Sequence, residues 1–129
     1  MRDLALKLQQ LGHLPVVYSP RLGPVAAELR QLTIPVVDDL SQVSSVPDII
    51  HGQHSDETVT ALLRFPDVPA IYVCHDWFAK NDEPPKFPRI LRYIAVDQAC
   101  YDKCVFEHGI PEDSVRTLYS FVDLDRFKP

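Results

Sequence analysis

The sequence predicts an α/β fold, an open, doubly wound and mainly parallel sheet with helices between its strands. Three observations predict it. Short apolar runs rich in Val and Ile alternate with segments of helical period along the whole chain. The two strongest runs, PAIYVC (69–74) and RYIAV (92–96), are continuously apolar, as strands covered on both faces are. Turn-forming stretches such as SPRLG (19–23) and the proline-rich segment after residue 74 separate the runs.

Leu4, Leu8 and Leu11 share one face of a helix over 2–11, and Gly12 stands where helices commonly end. LPVVY (14–18) reads as a strand, and Val25, Ala26, Leu29 and Leu32 return to helical spacing. IPVV (34–37) is a second strand and PDII (47–50) a third. Ser55 is placed to cap a helix over 56–64, with Asp56 and Glu57 against the positive end of its dipole. Strands 69–74 and 92–96 flank HDWFAKNDEPPKFPR, in which Pro84, Pro85 and Pro88 forbid regular structure; a loop this long is functional or mobile. A helix over 98–108 stops at Gly109, and VRTLY (115–119) is the last strand. The alternation gives about six strands with right-handed crossovers.

Composition bounds the function. The 129 residues carry 13 Lys+Arg against 18 Asp+Glu, a formal charge of -5, and 46% are hydrophobic, which describes one soluble globular domain over 1–129. Nucleic acid is not expected as a partner, because phosphate neutralisation needs clustered cations and the chain has no such cluster. No run reaches the roughly 20 apolar residues of a membrane span, and the start Met1-Arg2-Asp3-Leu4 has no signal-like apolar region, so a cytoplasmic location is expected. Cys74, Cys100 and Cys104 form an odd set without CxxC, which suits a reducing compartment; packed or exposed thiols are weighed ahead of redox chemistry.

In sheets of this class ligands bind beyond the carboxyl ends of the strands. That rule selects His51 and His54 after one strand, His75 and Asp76 after the next, and Ser120 after the last. HGQH (51–54) and CHDW (74–77) then emerge from neighbouring strands and can converge on one site. A histidine there can move a proton near neutral pH or hydrogen-bond a sugar hydroxyl or phosphate oxygen. The plainer alternative is an imidazole bonded to a backbone carbonyl. Trp77 and Phe78 can stack on a sugar ring, enter a membrane surface or anchor the loop in the core. A zinc site from His51, His54, His75, Asp76 and Cys74 is possible by residue type, but the spacing of 51 and 54 is unlike the i, i+4 pair of a zincin helix. No Gly-rich phosphate loop and no GxSxG is present, so nucleotide binding by a Gly-rich loop is unsupported. No cofactor and no metal are expected.

The ordered motifs resemble the N-terminal, acceptor-side half of a GT-B fold glycosyltransferase of the retaining GT4 family. The likeness runs nearly end to end. LALKLQQLGHLPVVYS resembles that family's first helix, Gly-His turn and second strand, PDIIHGQH its PDVVHxH strand, and VPAIYVCHD the strand ending in a histidine at the reaction cleft. IAVDQACYDKCVFEHGIPEDSVRTLYSFVDLDRFKP resembles the segment leading into the interdomain linker, with GIP, VD and FKP at matching intervals. Two positions depart from the pattern. Asp97 stands where Ser is usual, and Ser120-Phe121 replace Asn-Gly.

The resemblance implies a Rossmann-like domain with His75 as the catalytic histidine and His54 and Asp76 lining the acceptor side; Trp77, from the aromatic loop, and Ser120, from the strand-end rule, complete the expected substrate-binding set. It implies a nucleotide-sugar donor held mainly by a C-terminal domain that this chain lacks, an unknown acceptor, and a linker beginning over 120–129. It also places residue 1 at the family's first helix, so the first, central strand is expected to be missing. The sheet would then close its gap, or pair its exposed edges with a second copy in a homodimer. On this reading the isolated chain does not turn over. The other readings are a non-catalytic binding or assembly module of the same fold and a zinc-dependent hydrolase.

Overall fold

The computed structural model describes residues 1–122, so the end of the GIP…VD…FKP segment and most of the expected linker, 123–129, lie outside the described residues. The chain forms two compact units, Met1–Val46 and a second beginning at Pro47.

The first unit contains α1 (Arg2–Gln10), β1 (Val17–Tyr18), α2 (Pro24–Gln31) and β2 (Val36–Val37), and after these a 3-10 turn at Leu40–Gln42. β1 and β2 are parallel, with Val17 opposite Val36. The expected strand over 14–18 shortens to its last two residues because Pro15 has no N–H to contribute to a ladder, and Leu14 is exposed. The ladder runs from the Val17 N–H to the Pro35 carbonyl (2.9 Å) and from the Ser19 N–H to the Val37 carbonyl (3.1 Å). Ala5, Ala26, Leu29, Ile34 and Val36 form the core of this unit, with Leu6 and Val17 packed against it. The buried face of α1 therefore runs through Ala5, and Leu11 is exposed. Pro24 occupies the first turn of α2, where its missing N–H costs nothing.

Both helices of this unit end in the same hydrogen-bonded turn. After α1 the Gly12 N–H meets the Gln9 carbonyl and the His13 N–H the Leu8 carbonyl, each at 3.0 Å. After α2 the Thr33 N–H meets the Arg30 carbonyl and the Ile34 N–H the Leu29 carbonyl, again at 3.0 Å. This turn needs a left-handed residue at its first position past the helix. Gly12 supplies it at φ 88°; Thr33, a β-branched residue, is forced to φ 63°.

The second unit holds a four-stranded sheet in the order β3-β4-β5-β6, in which every neighbouring pair is parallel. Its strands are β3 (Ile50–Gly52), β4 (Ala70–Cys74), β5 (Ile90–Ala95) and β6 (Val115–Thr117). α3 (Ser55–Arg64) links β3 to β4. α4 (Gln98–Asp102) comes after β5 and widens into a π-helical turn at Lys103–Glu107 before Gly109, at φ 61°, ends it. Tyr72, Leu62, Ala70, Cys74, Ala95 and Cys100 are fully buried here. Asp97 accepts the Cys100 N–H at 2.7 Å and so caps α4, a role that a serine would also fill. The Arg89 guanidinium donates to the Leu62, Phe65 and Val68 carbonyls, gathering the C-terminal end of α3.

The α/β architecture with parallel sheets is the one the alternation predicts, but its strands divide into a two-stranded and a four-stranded sheet. Among the described residues the strands form two separate hydrogen-bonded ladders, β1-β2 and β3-β4-β5-β6. β3 also begins later than predicted, at Ile50, and runs on to Gly52, so His51 lies within the strand instead of beyond it.

Thr33 generates a test. Thr33→Gly removes the left-handed strain and is expected to stabilise the protein by about 1 kcal/mol, whereas Gly12→Ala introduces it and costs a similar amount. Urea denaturation of both variants beside the parent protein measures the two shifts; equal stability for Thr33→Gly would mean that the turn is already relaxed.

Candidate functional site at the carboxyl ends of β3 and β4

Parallel pairing sets Ile50 opposite Ala70, His51 opposite Ile71 and Gly52 opposite Tyr72. The chain therefore leaves β3 and β4 at the same end, and the segments 53–55 and 75–78 emerge side by side. Gly52 is required there. A Cβ at this position would collide with Thr58 Oγ1 and lie 2.9 Å from Thr58 Cβ, because the first turn of α3 packs directly on the strand. Thr58 is buried, and its hydroxyl donates to the His54 carbonyl.

His54 is the N-cap residue of α3 but makes no side-chain capping bond, and its Nδ1 lies 3.9 Å from Glu57 Oε2. Ser55 does not cap the helix as predicted. It is the first helical residue, and its hydroxyl reaches out of the helix to the Glu83 carbonyl at 2.5 Å. The predicted cap is lost because that hydroxyl finds an acceptor in the facing loop instead of a backbone N–H of its own helix.

The histidines do converge. His75 comes directly after β4 and is exposed, whereas Cys74, the last residue of the strand, is fully buried. His51 is partly buried; burial and then the facing charge of His75 hold its imidazole below the usual histidine range. His75 is also held low by burial, with Asp82 opposing that shift and His54 adding to it. Near neutral pH both imidazoles are therefore uncharged, each able to donate one hydrogen bond and accept one.

The loop between β4 and β5 is anchored along its length. Asp76 Oδ1 accepts the N–H groups of Phe78 (2.7 Å) and Ala79 (3.0 Å), which keeps its carboxyl below the ordinary range. One Asp76 oxygen thus folds the turn on which Trp77 stands. Trp77 and Phe78 are 58% and 81% exposed, with ring centroids 5.7 Å apart in an edge-to-face pair, so neither anchors the loop in the core. Tyr93 donates to the Pro85 carbonyl at 2.8 Å. The ammonium of Lys103, only 3% exposed, donates to the carbonyls of Asp76 (2.9 Å) and Ala79 (3.1 Å). A 3-10 turn at Lys80–Asp82 carries the Asp82 carboxylate inward.

Ser120 is exposed and lies beyond β6, the edge strand opposite β3, so the sheet order separates it from the histidine pair. Cys74, Cys100 and Cys104 are free and fully buried. The neighbouring Cys104 thiol and burial push Cys74 up, and burial pushes Cys100 up. No three His, Cys, Asp or Glu side chains among the described residues are grouped to hold a metal ion, so the geometry adds nothing to the zinc reading. Sequence reasoning missed Asp82, Lys103 and the role of Gly52. Gly52 left a signal, as one of four glycines in the chain and the one set between two candidate histidines.

A parallel α/β protein with polar side chains gathered at strand carboxyl ends and an aromatic loop beside them is the class this geometry defines. The family model of Glycosyltransferase Family 4 matches residues 1–126, and the chain belongs to that family. Its parallel sheets agree with the Rossmann-like N-terminal half of a GT-B fold. Neither a curated protein nor a solved structure matches the chain. No helix among the described residues is long and apolar enough to cross a membrane.

The low imidazole ranges have a thermodynamic consequence. As pH falls below 6.5, the usual histidine value, the unfolded chain takes up protons that folded His51 and His75 do not. Their contribution to stability is thus fully present above that pH and is lost progressively below it. Urea midpoints measured between about pH 8 and about pH 5 are expected to fall on the acid side. His51→Gln should flatten that fall; an unchanged slope would show that His51 is not held neutral.

Proposed function

We propose that this chain supplies the acceptor side of a retaining, metal-independent sugar transfer. A sugar would pass from a nucleoside-diphosphate donor to an acceptor at the strand ends described above. The observation that carries the proposal is the convergence of His54 and His75 at the mouth of adjacent parallel strands in a chain of Glycosyltransferase Family 4. In that fold the nucleotide-sugar is held mainly by a C-terminal domain, so turnover is assigned to the two halves together and not to this half.

His75 is assigned to the reacting sugar. A neutral imidazole can accept a hydrogen bond from a hydroxyl on one nitrogen while donating from the other, which orients a sugar. His54, exposed beside it, and the exposed Trp77 are assigned to the acceptor, the indole offering an apolar surface to a pyranose face. Asp76 is assigned chiefly to shaping the loop, since one of its oxygens already accepts two amides. Ser120 is assigned to the approach towards the second domain. The reaction is placed in the cytoplasm, and pairing of two copies through free sheet edges is proposed as the assembly state.

His75→Ala in transferase-competent protein is expected to lower sugar transfer by about a hundredfold or more. The assay follows radiolabelled sugar passing from nucleoside-diphosphate donors into acceptors of a cell extract. Full transfer by a folded His75→Ala protein would remove His75 from this role.

A further inference from the structure

The Asp82 carboxylate is 2% exposed, and burying such a charge is costly unless it is compensated. Among the described residues no cationic side chain lies within ion-pairing distance of it. Its compensation comes from the backbone. Oδ2 accepts the N–H groups of His75 and of Asp76, both at 2.5 Å, and Oδ1 accepts the hydroxyl of the buried Tyr72 at 3.2 Å. Hydrogen bonds from amides to an ionised carboxylate are short and about twice as strong as neutral ones. The carboxylate is therefore held chiefly by the two peptide N–H groups at which the chain turns out of β4.

The opposite side of that turn is held as well. Lys103 projects from the π-helical segment after α4 and donates to the Asp76 and Ala79 carbonyls. The segment 75–79 is thus gripped through its amides by a buried anion and through its carbonyls by a buried cation. Both grips come from residues that are assigned no substrate contact in the proposed reaction.

We propose that Asp82 is a positioning residue for His75: by holding the amides of His75 and Asp76 it fixes the direction in which the imidazole leaves β4, with Lys103 bracing the same turn. The inference rests on the reading of His75 as the group that meets the sugar, and it explains how an exposed side chain on a long loop is kept in one place. Misplacement of a reacting group by 1 Å can cost about a hundredfold in rate, so such a brace has kinetic value.

The test begins with the unaltered, isotope-labelled chain, so it does not depend on a variant folding. The amides of His75 and Asp76 are expected to exchange with solvent about a hundredfold more slowly than that of Trp77, which takes no part in the clamp. In Asp82→Asn both amide protons should move upfield. The His75 imidazole should titrate lower, because the one negative charge facing it is gone while His54 and His51 still face it. Exchange as fast as Trp77, or a folded Asp82→Asn protein with unmoved His75 resonances, would overturn the proposal.

A kinetic cycle separates this claim from the functional one. In the transfer assay Asp82→Asn is expected to lower the rate about tenfold or more when His75 is present and to add nothing in a His75→Ala background. Equal losses in both backgrounds would show that Asp82 acts independently of His75. If His75→Ala itself leaves transfer intact, the functional reading fails by that result alone, whereas the amide and imidazole resonances still decide whether Asp82 holds the turn.

Discussion

The parallel pairing of β3 with β4 is the constraint on which the candidate site depends. Because both strands run the same way and Gly52 stands opposite Tyr72, the segments that carry His54 and His75 must leave the sheet at one end. The lack of a side chain at residue 52 then lets the first turn of α3 rest on β3 through Thr58. That placement starts α3 at Ser55, whose hydroxyl reaches the Glu83 carbonyl across the site. A substituent at residue 52 would push α3 away, and His54, the helix start and the Ser55 anchor would move with it.

The segment after β4 is a loop in sequence but not a free one in structure. Its prolines remove N–H donors and rule out a regular element, so its remaining polar groups are satisfied individually. Asp76 takes two amides of its own turn, Tyr93 and Ser55 each take a carbonyl, and the buried Asp82 and Lys103 hold the amide and carbonyl sides of the turn after His75. Burying two opposite charges that meet backbone groups instead of each other is a costly arrangement, and it is balanced only while the turn keeps its shape. The exposed Trp77 and Phe78 therefore stand on a braced platform. Such a platform can present an aromatic face to a sugar without first having to order itself.

Much of this was legible in the sequence, and the rest was hidden for identifiable physical reasons. The continuous apolar runs at 69–74 and 92–96 mark β4 and β5 because strands buried on both faces cannot alternate in polarity. Gly12 and Gly109 mark helix ends because only left-handed residues close those turns. Thr33 closes the same kind of turn with no glycine to announce it. The division into two sheets left no local sign, since hydrogen-bonding partners between strands are not written in local periodicity. His51 was misplaced because a strand can run on through His and Gly when its neighbour supplies the ladder. Nothing in KNDEPP distinguishes Asp82, which is buried, from Glu83, which is exposed; only the three-dimensional path of the 3-10 turn does. The resemblance to Glycosyltransferase Family 4 came from motifs spaced along the whole chain, and the family match over residues 1–126 rests on the same breadth.

The central claim is that the strand ends carrying His54 and His75 form a sugar-binding surface. Its most direct test is a map of chemical-shift changes while nucleoside-diphosphate sugars and simple saccharides are titrated into the isotope-labelled chain. The account predicts changes confined to 51–54 and 75–79, strongest at the His75 and His54 imidazoles and the Trp77 indole. A saccharide that binds and leaves those three side chains unmoved while shifting residues elsewhere would contradict it.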